Sequence, residues 1–426
     1  MTVTWFFVAL LCLMALNVPI AFCMAGVGLG YILLGGNVPL ELIVQRMISG
    51  SDSFVLLAIP FFLLAGSLMN AGGVTQRLTR FARAMVGHVT GGLAHVTVVT
   101  NMIMAGMSGS AVADCTGTGS ILIPAMVRDR YSPAFAAAVT ATAATIGPII
   151  PPSIPMVIYA AIVNISVARM FIGGFIPGVL MGFILMGIAY VVSRRRGYPR
   201  EPRASWRIFV ASFKDSFLAL LMPIIVLGGI LLGVFTPTEA AVVAALYAFI
   251  LGAFIYGELK PRQLLAVAQE VIVGTASVML IVGAAAPFGW LLAAERAPQN
   301  LAAAFAFLKE PWQLLLALNI LLLILGCFME AVSILIILSP VLAPIVAGAG
   351  INDTHFGVVL ILNLMIGTVT PPVGMLMYIV CRIADISIIE FAREAFWPTI
   401  GLIAVLFLIT YVPSLVTWLP NLVLSR

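Results

Sequence analysis

Two apolar segments of this chain carry the same pattern of helix-breaking residues, 220 positions apart. Ile146-Gly147 and Pro151-Pro152 correspond to Ile366-Gly367 and Pro371-Pro372, so both halves contain the pattern I-G-x-x-x-P-P. The same offset aligns Gly106 with Gly326, Ala111-Val112 with Ala331-Val332, Leu122 with Leu342, and Pro124 with Pro344. Proline removes an N–H donor from a helix, so a duplicated Gly/Pro pattern in apolar sequence predicts a repeated fold with two broken helices.

The composition places these segments in a membrane. Of the 426 residues, 62% are hydrophobic and only 9% are charged, whereas a soluble protein has roughly 25% charged residues. A membrane-spanning helix needs about 20 mostly apolar residues. We therefore expect an all-α polytopic membrane protein and no separate aqueous domain.

The predicted segments follow the same order in two repeats, residues 1–210 and 211–426. In repeat 1 they are 3–16, 18–34, an amphipathic stretch 38–50, 53–71, a pair 91–107 and 111–127, then 133–163 and 168–193. In repeat 2 they are 216–234, 238–256, an amphipathic stretch 259–270, 271–293, a pair 311–328 and 331–347, then 355–381 and 396–420. The first pair has short arms and a small, uncharged tip, which favours a re-entrant helical hairpin over two full crossings.

Basic residues predict the orientation of the chain in the membrane. Those on the two flanks of the first pair are Arg77, Arg80, Arg83, Arg128 and Arg130. A larger basic cluster, from Arg194 to Lys214, follows two crossings later. The positive-inside rule puts all of them in the cytoplasm. Each repeat then crosses the membrane an odd number of times, so the second repeat is inverted and one hairpin enters from each face.

The hairpin tips and the broken helices are where polar groups would reach the middle of the bilayer. Carbonyls that lose helical partners, with nearby hydroxyls, are neutral oxygen ligands that suit a monovalent cation such as Na⁺ better than a transition metal. We expect two Na⁺ sites and no other metal. The repeat 1 candidates are Ser108, Gly109, Ser110, Thr142, Thr145, Gly147 and Pro148. The repeat 2 candidates are Gly326, Met329, Glu330, Ala331, Gly367, Thr368 and Thr370.

Helices that restart after a tip or a break would present unpaired N–H groups to an anionic substrate. The candidate substrate-binding residues are Ser108, Asp114, Pro152, Ser153, Pro372 and, at a cavity rim, Arg128. Asp114 and Glu330 are carboxylates at membrane depth, which indicates either a functional site or a hydrogen bond that stabilises the hairpin tip. For Arg128, a topology signal alone is the favoured interpretation. No catalytic residues are predicted.

Several longer strings resemble the large membrane (M) subunit of tripartite ATP-independent periplasmic (TRAP) transporters, the DctM-like family. They are residues 108–114, 131–140, 146–155 and 235–241, and the resemblance covers essentially the whole chain. Family members often carry Gly where Arg130 stands.

The resemblance implies a non-enzymatic, Na⁺-coupled symporter of the bacterial inner membrane that works by an elevator motion. The implied substrate is an organic acid, such as a dicarboxylate, delivered by a periplasmic solute-binding protein (P-type). A small four-helix membrane subunit (Q-type) would pack on a scaffold made of 3–71 and 216–293. The transport part would be 91–193 with 311–420. Nucleic acid is not an expected partner.

Other classes of protein remain as alternatives. A stand-alone Na⁺-dicarboxylate or anion symporter of another elevator family would need no binding protein. A channel requires a continuous polar pore lining, whereas polar residues here concentrate at two tips and two breaks. Residues 106–109 match the G-x-S-G of intramembrane serine proteases, but His88 and His95 lie on the same arm as Ser108, not on a facing helix.

Overall fold

The structure, a computed structural model, describes residues 3–16, 18–34, 39–297, 299–300 and 310–424. The first residue of the predicted stretch 38–50 lies outside this part. All regular secondary structure in the described residues is helical, which confirms the predicted all-α class. Within the described part of the chain, seven helical segments are long and apolar enough to cross a membrane. They are Phe54–Ala71, Val167–Arg196, Trp206–Leu231, Pro237–Ile255, Pro261–Ala294, Ala331–Gly348 and Ile388–Tyr411.

The remaining helices are shorter or, in the case of the 18-residue Ala111–Arg128, less apolar. In the first half they are Val3–Ala15, Ile20–Leu33, Glu41–Ser51, Val74–Val86, Gly92–Ser108, Ala111–Arg128, Pro133–Ala144 and Ile154–Val163. In the second half they are Pro311–Gly326, Asp353–Gly367, Met375–Ala384 and Ser414–Leu424. Phe54–Leu57 is a 3₁₀ turn that leads into Ala58–Ala71, and Leu251–Ile255 is a π-helical end of the helix Pro237–Ile250.

One helix was not predicted from the sequence. Val74–Val86 buries Leu78 and Phe81, while Arg80 and Arg83 lie on its more exposed side. This is a surface helix with an apolar face. A search for continuous apolar spans misses it, because its arginines recur every third residue.

Two predicted boundaries in the second half were wrong. The segments predicted at 259–270 and 271–293 form one continuous helix, Pro261–Ala294. The segment predicted at 396–420 is two helices, Ile388–Tyr411 and Ser414–Leu424, with Pro413 between them. Proline cannot donate to the preceding turn of a helix, which explains the interruption.

The structure contains both predicted helix pairs, named here hairpin 1 and hairpin 2, and both predicted breaks. Hairpin 1 comprises Gly92–Ser108 and Ala111–Arg128, and hairpin 2 comprises Pro311–Gly326 and Ala331–Gly348. Break 1, residues 145–153, separates Pro133–Ala144 from Ile154–Val163, and break 2, residues 368–374, separates Asp353–Gly367 from Met375–Ala384. The Pro151-Pro152 and Pro371-Pro372 bonds within them are both cis.

The helix after each break packs against the opposite half of the chain. Ile154–Val163 contacts the second arm of hairpin 2, Ala331–Gly348. Met375–Ala384 contacts the second arm of hairpin 1, Ala111–Arg128, and also Pro133–Ala144. This reciprocal packing brings the two hairpin tips and the two breaks together in the centre of the molecule.

Ion pairs connect segments that the arginine pattern assigns to one side of the membrane. Arg77 lies 3.3 Å from Asp215 and 2.7 Å from Glu258, and Arg196 lies 2.9 Å from Glu394. The two Arg77 contacts hold the unpredicted helix Val74–Val86 against segments that follow the basic cluster, and the Arg196 contact joins Val167–Arg196 to Ile388–Tyr411. None of these pairs joins the two predicted sides of the membrane.

Candidate functional site

A cavity of about 140 Å³ lies where the hairpin tips and the breaks meet. Its hairpin residues are Gly109, Ser110, Ala111, Val112, Glu330, Ala331 and Val332. Its residues at or beside the breaks are Pro148, Ile154, Pro155, Met365, Thr368, Met375 and Leu376. From the predicted scaffold segments come two apolar side chains, Leu63 and Val278.

Four helices begin at this cavity. They are Ala111–Arg128, Ile154–Val163, Ala331–Gly348 and Met375–Ala384. The first N–H groups of a helix lack intrahelical acceptors, and each N-terminus carries a partial positive charge of about 0.5. Among the described residues, no Lys or Arg lines the cavity, and the one charged residue that does is Glu330, the N-cap of Ala331–Gly348. The other three N-termini direct the partial positive charge of the backbone at the cavity, an arrangement that suits an anion.

The tip of hairpin 1 is held against break 1. Gly109 has φ +60°, and a Cβ atom there would lie 2.6 Å from the carbonyl oxygen of Pro152. The Ile154 N–H donates to the Gly109 carbonyl at 3.4 Å. Glycine is required at this tip both for its backbone conformation and for the close approach of the break.

Asp114 lies directly behind this tip and is fully buried. The Ser108 hydroxyl donates to its Oδ1 at 2.6 Å, while its Oδ2 has no hydrogen-bond partner. A Cβ atom on Gly147 would lie 2.6 Å from that Oδ2. The carboxylate therefore faces the start of break 1 with one oxygen free. The Ser108 hydroxyl is hydrogen-bonded to the Asp114 carboxylate. The nucleophile of a serine–histidine protease is instead hydrogen-bonded to a histidine.

The hydroxyls in break 1 and in the helix that precedes it are buried and donate to nearby backbone carbonyls. The Thr142 hydroxyl donates to the Ala138 carbonyl at 2.7 Å, and that of Thr145 donates to the Thr142 carbonyl at 2.6 Å. Ser153 donates to the Pro148 carbonyl at 2.5 Å and accepts from the Met156 N–H at 3.2 Å. The threonine oxygens keep acceptor lone pairs, whereas the Pro148 carbonyl already has a donor.

Break 2 is fixed by contacts between backbones. A Cβ atom on Gly367 would lie 2.6 Å from the Gly326 carbonyl oxygen. The Val373 N–H donates to the Cys327 carbonyl at 3.0 Å, and the Thr368 carbonyl accepts from the Leu376 N–H at 3.0 Å. Hairpin 2 is thus bonded to break 2 as hairpin 1 is to break 1.

The second acid, Glu330, is the N-cap of the second arm of hairpin 2. Its carboxylate accepts from the Val332 N–H at 3.0 Å, and from the Ser333 N–H and hydroxyl at 2.8 and 2.9 Å. Of the two interpretations left open by the sequence, the helix-capping one describes this residue. Its neighbour Ala331 lines the cavity, and Met329 is half-buried beside it without lining it.

The predicted substrate-binding residues are not on the cavity wall. Ser108, Asp114, Pro152 and Ser153 are buried behind it. Pro372 is exposed on break 2. The structure does not bring Arg128 to the cavity. The helix Ala111–Arg128 begins at the cavity, and Arg128 is at its other end, about 25 Å from Ala111 at 1.5 Å per residue.

The cavity also contains residues that were not predicted. Met375 and Leu376 follow break 2 directly, so their position after the second Pro-Pro could have identified them. Leu63 and Val278 carry no such signal, because they are ordinary apolar residues within long apolar helices.

The fold is that of a multi-pass helical membrane protein. A solved structure, the YdaH transporter of Alcanivorax borkumensis, superposes with a TM-score of 0.64 at 16% identity, and the match covers 87% of this chain and 86% of that one. This likeness concerns the fold alone.

The chain belongs to the family described as the tripartite ATP-independent periplasmic transporter, DctM component, which matches residues 7–415. It is 42% identical to the sialic acid TRAP transporter large permease protein SiaM of Vibrio cholerae, over 96% of both chains. It is 41% identical to the C4-dicarboxylate TRAP transporter large permease protein DctM of Pseudomonas aeruginosa, over 89% of this chain and 88% of that one. The relatives are thus named as permeases, and the predicted family is confirmed.

Proposed function

We propose that this chain carries an organic acid across the bacterial inner membrane, by symport with Na⁺. The observation that carries the proposal is the meeting of four helix N-termini at one cavity, three of them without an acidic cap, with no basic side chain lining it among the described residues. Such a site attracts a carboxylate without holding it as tightly as a buried arginine would. The names of the relatives, which refer to sialic acid and C4-dicarboxylates, support a carboxylate substrate.

The proposed motion is that of an elevator, with 91–193 and 311–420 moving as a unit against the scaffold 3–71 and 216–293. The scaffold contributes only Leu63 and Val278 to the cavity. Each buried hydrogen-bonding group left without a partner would cost about 1–3 kcal/mol. Apolar surfaces can slide past each other without this cost. The polar groups of the site would all travel together.

An inverted repeat is part of the same proposal. Its support is the reciprocal packing of Ile154–Val163 on hairpin 2 and of Met375–Ala384 on hairpin 1. Two halves related in this way exchange the roles of their hairpins when the transporter changes its direction of access.

The proposed Na⁺ sites lie one in each half. In the first half, the free Oδ2 of Asp114 and the hydroxyl oxygen of Thr145 are the side-chain ligands, with carbonyls of break 1. In the second half, the hydroxyls of Thr368 and Thr370 donate to the Met365 and Ile366 carbonyls, which leaves their lone pairs for an ion. Oxygen-only ligands of this kind suit a hard cation.

Two protein partners complete the proposal. A periplasmic solute-binding protein would deliver the substrate, and a small four-helix membrane subunit would pack on the scaffold. The family's description as tripartite supports both.

Uptake into proteoliposomes tests the proposed function. Vesicles holding this chain and its small subunit should accumulate radiolabelled carboxylate only with liganded binding protein outside and an inward Na⁺ gradient. A matched K⁺ gradient and unliganded binding protein are the controls. Uptake that proceeds without the binding protein would indicate a stand-alone symporter, and uptake under the K⁺ gradient would contradict Na⁺ coupling.

A further inference from the structure

A second cavity lies on the outer surface of the predicted transport part, far from the candidate site. It is a groove of about 620 Å³ between the helices Val167–Arg196 and Ile388–Tyr411. Its floor and walls are apolar, with Phe183, Ile184, Ile188, Ile400 and Ala404 among them. Both helices are candidate membrane spans, so the groove faces the lipid of the bilayer.

A glycine in one wall helps to form the groove. A Cβ atom placed on Gly187, which lines it, would meet no atom within 4 Å. On the opposite wall, a Cβ atom on Gly401 would lie 2.5 Å from Ile188, so the two helices approach closely beneath the groove. The glycines therefore leave a furrow that the helices' own side chains do not fill.

The dimensions of the groove match one leaflet of a membrane. From Phe183 to Arg195 the helix rises about 18 Å, at 1.5 Å per residue. The hydrocarbon core of a bilayer is about 30 Å thick, so the apolar part of the groove reaches about halfway across. A partner helix that spans the membrane would be expected to need a longer contact surface. A single acyl chain fits the observed length.

The groove is charged at one end, the end predicted to face the cytoplasm. Arg195 and Arg196 line it there. Arg196 is engaged by Glu394 at 2.9 Å, whereas Arg195 has no ion pair among the described residues. Trp397, 62% exposed, lines the groove near the same end, and tryptophan is enriched at the membrane–water interface.

We propose that this groove binds an anionic glycerophospholipid of the cytoplasmic leaflet. One acyl chain lies along Gly187 and Ile188, and the phosphate-bearing headgroup contacts Arg195. Basic pockets between membrane helices on the cytoplasmic side bind anionic headgroups by this chemistry. The lipid would move with the transport part, since both walls of the groove belong to it.

Native mass spectrometry of the purified transporter, titrated with phosphatidylglycerol or phosphatidylcholine, tests this assignment. The wild type should bind phosphatidylglycerol about fivefold more tightly, the effect of one basic residue near a membrane surface. Arg195→Gln should abolish the preference. Arg194→Gln, which removes an adjacent charge that does not line the groove, should keep it.

Filling the groove provides an independent variant. Gly187→Leu should weaken the binding of both lipids, whereas Gly228→Leu, at another helical glycine with open space around its Cβ position, should not. Equal binding of the two lipids by the wild type, or equal losses in Arg195→Gln and Arg194→Gln, would overturn the proposal. So would a Gly187→Leu protein that keeps its lipid but no longer copurifies with the small subunit, because the groove would then be a protein interface.

Discussion

The two breaks share a sequence pattern but lie in different surroundings. All residues of break 1, from 145 to 153, are buried. In break 2, Pro371, Pro372 and Val373 are exposed. The pattern I-G-x-x-x-P-P therefore ends a helix in both halves, but it does not determine how accessible the freed backbone groups are. Tertiary packing determines this accessibility, and it buries break 1 completely while leaving part of break 2 exposed.

The two halves also use their acids differently. Glu330 directs both carboxylate oxygens at donors of its own helix. Asp114 lies one turn inside its helix. It accepts one hydrogen bond from Ser108, and its Oδ2 has no hydrogen-bond partner. A buried carboxylate oxygen without a donor is costly unless a cation or a proton binds it. This difference supports a structural role for Glu330 and the proposed Na⁺-ligand role for Asp114.

The helices restart by different means as well. After break 1, the Ser153 hydroxyl accepts the Met156 N–H. After break 2, the Thr368 carbonyl accepts the Leu376 N–H, and no side chain caps the helix. The helix that follows break 1 is therefore capped by a side chain, whereas the helix that follows break 2 is capped by a backbone carbonyl.

The largest expected effect on stability comes from replacing the glycine of each I-G-x-x-x-P-P pattern by alanine. Gly367→Ala should lower the free energy of unfolding by about 3 kcal/mol, because its Cβ would press on the Gly326 backbone. Gly147→Ala should cost only about 1 kcal/mol, because the Asp114 carboxylate that it meets can rotate away. Thermal unfolding in detergent measures both, with Gly228→Ala, where space is open, as the control. Equal losses at the two positions would show that the breaks are packed alike.

The second prediction separates the two acids. Asp114→Asn should raise the Na⁺ concentration for half-maximal uptake about tenfold or more, because it removes the charge of a proposed ligand, and a buried ion cannot recover that charge from water. Glu330→Gln should leave the Na⁺ dependence nearly unchanged and lower the stability by about 1 kcal/mol through a weaker cap. Uptake at varied Na⁺, together with thermal unfolding, gives both values. A reversed pattern would place the ion at hairpin 2.

The third prediction compares the hydroxyls at the two breaks. Thr145→Val should raise the half-maximal Na⁺ concentration about fivefold, the equivalent of one lost ligand interaction of about 1 kcal/mol. Thr370→Val should have a smaller effect, because Thr370 is partly exposed and water can replace its oxygen. The serine variants at both positions, which keep the hydroxyl, should behave like the wild type. No change in either valine variant would mean that these hydroxyls are not ligands.

The elements that the sequence predicts well are those fixed by local chemistry. The arms of hairpin 1, predicted at 91–107 and 111–127, are Gly92–Ser108 and Ala111–Arg128. Proline and glycine act on their own helix, so both breaks were also found. What could not be predicted depends on distant contacts. The free oxygen of Asp114 and the capping geometry of Glu330 result from packing that neither residue type determines.

The cavity wall illustrates the same limit. Gly109, Ser110, Glu330 and Thr368 were predicted as site residues because they are polar or lie at a tip or a break. Leu63 could not be predicted, since nothing distinguishes it from the other apolar residues of Ala58–Ala71. Its role in closing the cavity is visible only once the transport part is placed against the scaffold.

The smallest expected effect lies at the end of each hairpin. Arg130 and Gly350 are equivalent at the offset of 220, and both have positive φ, 64° and 76°. A non-glycine residue in this conformation costs roughly 1–2 kcal/mol, of which the greater freedom of glycine in the unfolded chain offsets part. Arg130→Gly, which makes the first half resemble the second, should therefore stabilise the protein by about 0.5 kcal/mol in thermal unfolding.

Two further variants, Gly350→Ala and Arg130→Ala, separate the effect of backbone conformation from that of charge. Gly350→Ala should destabilise by about 1 kcal/mol, and through conformation alone, because a Cβ atom there would meet no atom within 4 Å. Arg130→Ala removes the same charge as Arg130→Gly but still disfavours positive φ, so it should not stabilise. If Arg130→Ala and Arg130→Gly raise the unfolding temperature equally, the effect comes from the lost charge beside Arg128. The two hairpin ends would then differ in electrostatics and not in backbone strain.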